Sequence, residues 1–67
     1  MTTLAESLPR EQARVRALIG MYREIGPSGT FAIMMMEQAL SRAEKAAAEG
    51  DIAAMIRAQK DLEGFTE

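Results

Sequence analysis

Few side chains in this sequence could carry out covalent or metal chemistry. Cysteine and histidine are both absent, which removes thiolate nucleophiles, disulfides and the usual ligands of structural zinc. The serines at positions 7, 28 and 41 have no histidine and no obvious lysine nearby to activate them. We therefore expect no catalytic residue, no metal site and no cofactor, and we predict that the protein is not an enzyme.

Two further groups of polar residues have a structural explanation. The carboxylates of Glu37, Glu44 and Glu49 could line one face of a helix, but carboxylates at helical spacing are usually solvated. The segment 27–30, Pro-Ser-Gly-Thr, could hold an anion at a helix N-terminus. It lacks the lysine and the spacing of a phosphate-binding loop, so a tight turn is the better interpretation.

Apolar side chains surround nearly the whole circumference at the start of the middle predicted helix. One face carries the expected core residues Ile33, Met36, Leu40, Ala43 and Ala47. Phe31, Met34 and Met35 point to the opposite half of the helix. Exposing these three together would leave an apolar patch of a kind that monomers usually avoid.

This patch is the main candidate for a binding site. We predict Phe31, Met34 and Met35 as interface anchors, with Tyr22, Gln38 and Arg42 at the rim. The chain contains 6 methionines, and Met21, Met34, Met35 and Met36 lie in or near this region. Methionine side chains repack easily against dissimilar surfaces, although the alternative that they fill an irregular small core stays open.

Three helices are predicted to position these residues, over about 9–25, 29–49 and 51–63. Pro9 suits the first position of a helix, and Gly26 followed by proline is a strong stop. Residues 1–8 are expected to form a flexible tail, and residues 9–67 a single helical domain.

The connections between the helices are short. Ser28 is the expected N-cap of the second helix, Gly50 ends that helix, and Asp51 caps the third. Loops of this length make successive helices antiparallel neighbours. The expected inward stripes are Val15, Leu18, Ile19, Tyr22 and Ile25 on the first helix, and Ile52, Met55, Ile56 and Leu62 on the third.

The predicted fold class is therefore all-α, a helical hairpin followed by a third helix. A chain of 67 residues buries only about 60% of the surface that its unfolded form exposes, so its core is marginal. With disulfides and histidine-based metal sites excluded, a partner is the remaining means of stabilisation. We predict a helical homodimer.

Charge and hydropathy restrict the partners further. The net charge of −2 and the pI of about 5.1 argue against non-specific binding to nucleic acid. The longest apolar run, Phe31 to Met36, is far shorter than the roughly 18 residues of a membrane span, so we expect a cytoplasmic protein with no membrane partner. The arginine-rich first helix could dock on an acidic patch of a partner or a second protomer, or could simply be solvated.

One stretch of the sequence resembles a known family. The string from Met21 to Phe31, followed by Met34-Met35-Met36-Glu37 and the Ala-Glu-Gly-Asp turn, is similar to small early proteins of Mu-like temperate phages. Among these it resembles the anti-quorum-sensing anti-activators of pseudomonad phages, over roughly residues 10–63. The resemblance implies a helical homodimer in the host cytoplasm that binds a LuxR-type quorum-sensing regulator, and the type IV pilus assembly ATPase as a further target.

Three functions are therefore considered. The first is a phage-type inhibitor that binds a host protein, such as the transcription regulator, in stoichiometric amounts. The second is a structural or adaptor homodimer with no inhibitory role. The third is a small DNA-binding regulator, which fits poorly because the second helix offers Phe31 and Met34, not polar side chains, to the major groove.

Overall fold

Three helices make up most of residues 3–66, the part of the chain that the structure, a computed structural model, describes. α1 spans Leu4–Ile25, α2 spans Thr30–Glu49 and α3 spans Ile52–Glu63. Within these bounds there is no strand, which confirms the all-α prediction of a hairpin plus a third helix. The homodimer stays a prediction. No helix of the described chain is both long and apolar enough to cross a membrane.

The first helix begins at Leu4, so the predicted start at Pro9 is wrong, and so is the flexible tail wherever the structure describes it. Leu8 is buried in the core and Leu4 packs against it. A proline inside a helix costs roughly 3 kcal/mol, whereas burying each leucine contributes about 1.5–3 kcal/mol. The two leucines therefore keep the segment helical despite Pro9. Residues 1 and 2, also assigned to the tail, lie outside the described residues.

The turn between α1 and α2 depends on two glycines. α1 ends at Gly26, as predicted. The φ of Gly26 is 96°, and its N–H donates to the Arg23 carbonyl at 3.2 Å. A short 3-10 turn over 27–29 follows, and Gly29 takes the N-cap position of α2. The predicted cap at Ser28 is wrong, because Ser28 lies inside the 3-10 turn. Gly29 is buried directly against the Tyr22 carbonyl.

The turn between α2 and α3 matches the prediction. Gly50 ends α2 in the left-handed conformation, with φ 67°. The Asp51 side chain accepts a hydrogen bond from the Ala54 N–H at 3.1 Å, which satisfies one of the free donors at the start of α3.

The core lies between the three helices and is rich in small residues. Its buried apolar side chains are Leu8, Val15, Leu18, Ile19, Met36, Ala39, Leu40, Ala43, Ala58 and Leu62. In α2 the inward face differs by one position from the prediction, since Ala46 is buried and Ala47, in the last turn, is exposed.

Three isoleucines that were predicted to face the core are exposed instead. They are Ile52 and Ile56 of α3 and Ile25 of α1. Ile52 and Ile56 are exposed although Leu62 is buried. At 100° per residue these isoleucines lie roughly 80° and 120° from Leu62 around the helix, so a single inward face cannot hold all three. Ala58 takes the buried position instead, and Met55 is half-buried. Ile25, predicted on the inward stripe of α1, is also exposed.

Substituting two glycines by alanine should have opposite effects on stability. A Cβ atom on Gly29 would lie 2.7 Å from the Tyr22 carbonyl oxygen, whereas one on Gly20 would meet nothing within 4 Å. We expect Gly29→Ala to lower the free energy of unfolding by about 1–3 kcal/mol. Gly20→Ala, within α1, should raise it by about 0.5–1 kcal/mol. Urea denaturation followed by circular dichroism measures both; a stabilising Gly29→Ala would contradict the tight approach at the turn.

Candidate protein-interaction surface

The third helix is much shorter than the hairpin on which it packs. α3 has 12 residues, against 22 in α1 and 20 in α2. At 1.5 Å per residue, α3 is about 18 Å long and the other two are about 30–33 Å. Part of the hairpin must therefore extend past one end of α3.

Hydrogen bonds from α1 determine which end is left uncovered. The Arg14 guanidinium donates to the Leu62 and Phe65 carbonyls, both at 2.8 Å, and to the Glu11 carboxylate at 2.6 Å. Leu62 lies in the last turn of α3, where helical partners for carbonyls run out, and Phe65 lies two residues beyond the end of the helix. Arg14 lies near the middle of α1, so α3 ends there while α1 continues to Ile25.

Met21 and Ile25 lie on the side of α1 that faces α3, beyond the end of α3. That side is marked by Ser7, whose hydroxyl donates to the Gln59 side chain at 2.7 Å, and by Arg14. Met21 and Ile25 follow Arg14 by seven and eleven residues, which is close to two and three helical turns. Both are exposed because no helix covers this part of the stripe.

Phe31 and Met35 hold the equivalent place on α2. The Arg42 guanidinium lies 3.9 Å from the Asp61 carboxylate of α3, which marks the edge of α2 next to α3. Met35 and Phe31 precede Arg42 by seven and eleven residues and so extend the same stripe past the end of α3. Met21 and Ile25 on one helix and Phe31 and Met35 on the other thus border the groove between α1 and α2. Farther from the turn that joins these two helices, α3 fills the same groove.

We name this surface the open-end patch and define it as Met21, Ile25, Phe31, Met34 and Met35. Their exposed fractions are 47%, 63%, 73%, 51% and 40%. Of the large apolar side chains exposed within residues 3–66, only Ile52 and Ile56 lie elsewhere. Concentrated exposure of this kind is typical of a surface that binds another protein.

The sequence-predicted site residues fall into two groups. Phe31, Met34 and Met35 are exposed as expected, and Gln38 and Arg42 are exposed along the same side of α2. Tyr22 is half-buried: it packs against the core, and its hydroxyl donates to the Thr66 carbonyl at 3.3 Å. The interface role of all six stays a prediction.

Two members of the open-end patch were not among the predicted interface residues. The sequence places Met21 only among the methionines near the region, and it predicts Ile25 on the inward stripe of α1. A signal was present in the predicted helix bounds, since the third helix was already shorter than the first two. Apolar residues in the last turn of α1 therefore had no third helix to cover them.

The arginines of α1 mostly find partners within the chain. Arg16 lies 3.0 Å from the Glu44 carboxylate and Arg23 lies 3.7 Å from that of Glu37. Both pairs are exposed, and exposed pairs contribute only about 0–1 kcal/mol. With Arg14 bound to the end of α3, this helix has little unpaired basic surface, which favours the solvated alternative over docking through α1.

The described residues contain no group of three or more acidic side chains that could hold a metal ion. No protein-family model matches the sequence, and no curated protein or solved structure is significantly similar to it. The resemblance to early proteins of Mu-like phages therefore stays a prediction.

Three consecutive methionines offer a direct test of the exposed surface. Met34 and Met35 are exposed, whereas Met36 is 1% exposed in the core. Under dilute hydrogen peroxide and at high dilution, we expect Met34 and Met35 to oxidise much faster than Met36, because sulfoxide formation requires access to the sulfur. Tandem mass spectrometry resolves the three positions, and unfolding in guanidinium should equalise their rates. Oxidation of Met36 as fast as Met35 in the folded protein would contradict the arrangement.

Proposed function

We propose that this protein acts by stoichiometric binding: the open-end patch docks on another protein, and the chain itself does no covalent chemistry. The observation that carries the proposal is the concentration of exposed apolar side chains on both helices of the hairpin, beyond the end of α3. The methionines suit this role because unbranched thioether side chains adapt to partners of different shape.

A second copy of the chain is the first partner we propose. Burying one such side chain contributes roughly 1.5–3 kcal/mol. Three per protomer, doubled by two-fold symmetry, contribute on the order of 10 kcal/mol, which is comparable to the 4–15 kcal/mol that association costs. A homodimer is therefore energetically accessible, and its affinity depends on how many patch residues it covers.

The biological target that we propose is a host protein inhibited by binding. The sequence resemblance suggests a LuxR-type quorum-sensing regulator and the type IV pilus assembly ATPase as the proteins to test first. A regulator held in such a complex would not bind its operator. Exposure of Phe31 and Met34 at the start of α2 supports protein binding over DNA reading, because the recognition helix of a DNA-binding motif needs polar side chains there.

A structural or adaptor homodimer is the second candidate function. It needs the same patch but no host target. The two candidates therefore make the same prediction for self-association and different predictions for capture of a host regulator.

Self-association can be tested with one charge substitution and a matched control. We expect Met35→Glu to shift the protein from dimer to monomer, because a carboxylate in an apolar interface loses its hydration. Ala5→Glu adds the same charge at an exposed site in the first turn of α1, where the helix dipole favours an anion, and should leave the dimer intact. Sedimentation velocity at micromolar concentration measures the difference. A monomeric wild-type protein would exclude the dimer.

Target binding uses the same two variants. Immobilised wild-type protein and Ala5→Glu should retain a purified LuxR-type regulator in near-stoichiometric amounts and release it from operator DNA, whereas Met35→Glu should do neither. The pilus ATPase is tested in parallel. Retention of neither protein by the wild type would contradict the inhibitor proposal and leave the adaptor as the better candidate. A direct shift of duplex DNA by the protein at low salt would favour the DNA-binding alternative.

A further inference from the structure

A groove between α2 and α3 gathers the basic side chains of the second half of the chain. It has a volume of about 490 Å³ and lies on the side of these helices away from α1. Every lysine and arginine of residues 37–66 lines it, namely Arg42, Lys45, Arg57 and Lys60. Glu49 and Asp61 line it as well, so four positive and two negative side chains leave it with a charge of +2. The whole chain has a net charge of −2.

The opposite groove of α2 shows that this excess is specific to one side. The groove between α1 and α2 holds Arg16 and Arg23 together with Glu37 and Glu44, and each arginine is paired, at 3.0 and 3.7 Å. Its charges cancel within the chain. Between α2 and α3, the only ion pair that the described residues form is the long contact from Arg42 to Asp61 at 3.9 Å.

The floor of the basic groove is made of small side chains. Ala46 and Ala58 are buried there and Ala54 is half-buried. Since alanine has only a Cβ atom, the backbone of a bound segment can approach closely between the longer basic side chains. Those side chains can pack their methylene groups along the segment and keep their charged ends at its edges.

The groove and the open-end patch lie on one stripe of α2. The stripe advances alternately by four and three residues over the whole helix, through Phe31, Met35, Gln38, Arg42, Lys45 and Glu49. Its first part is apolar and borders the uncovered end of the hairpin. Its later part is basic and borders α3. The distance from Phe31 to Glu49 along the axis is about 27 Å.

We infer that this continuous surface receives an acidic amphipathic helix of the partner protein, with acidic side chains over the basic groove and apolar ones over the open-end patch. The inference rests on the proposed function, because the patch is the same docking site. A helix of about 18 residues would span the stripe. Charge complementarity selects such a segment and orients its approach.

Two other occupants fit less well. A second copy of this chain can cover the open-end patch, as in the proposed homodimer, but it has no acidic helix for the basic groove. In α1 four arginines outnumber three glutamates, and the outward stripe of α2 and the residues of α3 that line the groove are themselves mostly basic. Nucleic acid would match the basic groove, but the apolar part of the stripe offers its phosphates nothing, and the net negative charge of the chain opposes it. The helix of a partner satisfies both parts of the surface.

The test uses a designed fluorescent peptide as the probe. It is an alanine-based helix of about 18 residues, with glutamates along one face and two leucines at one end of that face. Fluorescence anisotropy measures its affinity for the full chain. Arg57→Glu and Lys45→Glu should each weaken binding about three- to tenfold. The matched control Arg10→Glu, an exposed site of α1 outside the groove, should change it less than about twofold.

Each outcome decides the inference. Equal effects of Arg57→Glu and Arg10→Glu, or equally tight binding of a peptide with lysines in place of the glutamates, would overturn it. Tighter binding of a thymidine oligonucleotide of the same charge would overturn it in favour of nucleic acid. If Met35→Glu abolishes capture of the host regulator while the groove variants capture it normally, the proposed function stands and the acidic-helix inference fails. If only the groove variants lose capture, the open-end patch fails as the docking site.

Discussion

The length of α3 is the constraint on which the surface of this protein depends. Two hydrogen bonds from Arg14, to the carbonyls of Leu62 and of Phe65 just after the helix, hold the C-terminal end of α3 near the middle of α1. α3 therefore covers only the part of the hairpin that lies away from the turn between α1 and α2. Nearer the turn between α1 and α2, no third helix of residues 3–66 covers these two helices. Apolar residues that an additional turn or two of α3 would have buried are exposed there, and these residues are the candidate interface.

The two sides of α2 have different electrostatic roles. Toward α1, its glutamates pair with arginines across the helix boundary, and the charges serve the fold. Away from α1, its basic side chains join those of α3 around a groove floored by alanine, and most of that charge is left for something outside the chain. Because the two sides of α2 face in different directions, a partner bound over the basic groove would not need to disturb the ion pairs with α1.

Much of the fold could be predicted from local sequence signals. Gly26, Gly50 and Asp51 terminate or cap their helices as expected, since those signals act over a few residues and need no tertiary information. The start of α1 could not be found this way. Pro9 is a strong local signal, but it is overridden by the burial of Leu8 against residues distant in sequence. The same holds for Ser28, displaced from the cap position by the 3-10 turn.

The candidate site was predictable in part for a similar reason. Helical periodicity alone places Phe31, Met34 and Met35 opposite the core face of α2, and they are exposed. The contribution of α1 could not be read from periodicity, because Ile25 follows the buried Leu18 by seven residues, close to two helical turns, and so continues its stripe. The two residues differ in burial because α3 ends between them along α1. The position of that end is set by the hydrogen bond from Arg14 to the Leu62 carbonyl, which joins residues 48 positions apart in the sequence.

The course of the chain after α3 has a practical consequence. Phe65 packs against the core, and the Thr66 carbonyl accepts a hydrogen bond from Tyr22, one turn from Ile25. A bulky group attached close to Thr66 would therefore lie near Met21 and Ile25 and crowd them. Leu4, the first residue of α1, lies at the other end of this helix, about 30 Å away. A group attached close to Leu4 would therefore leave the open-end patch free for affinity measurements.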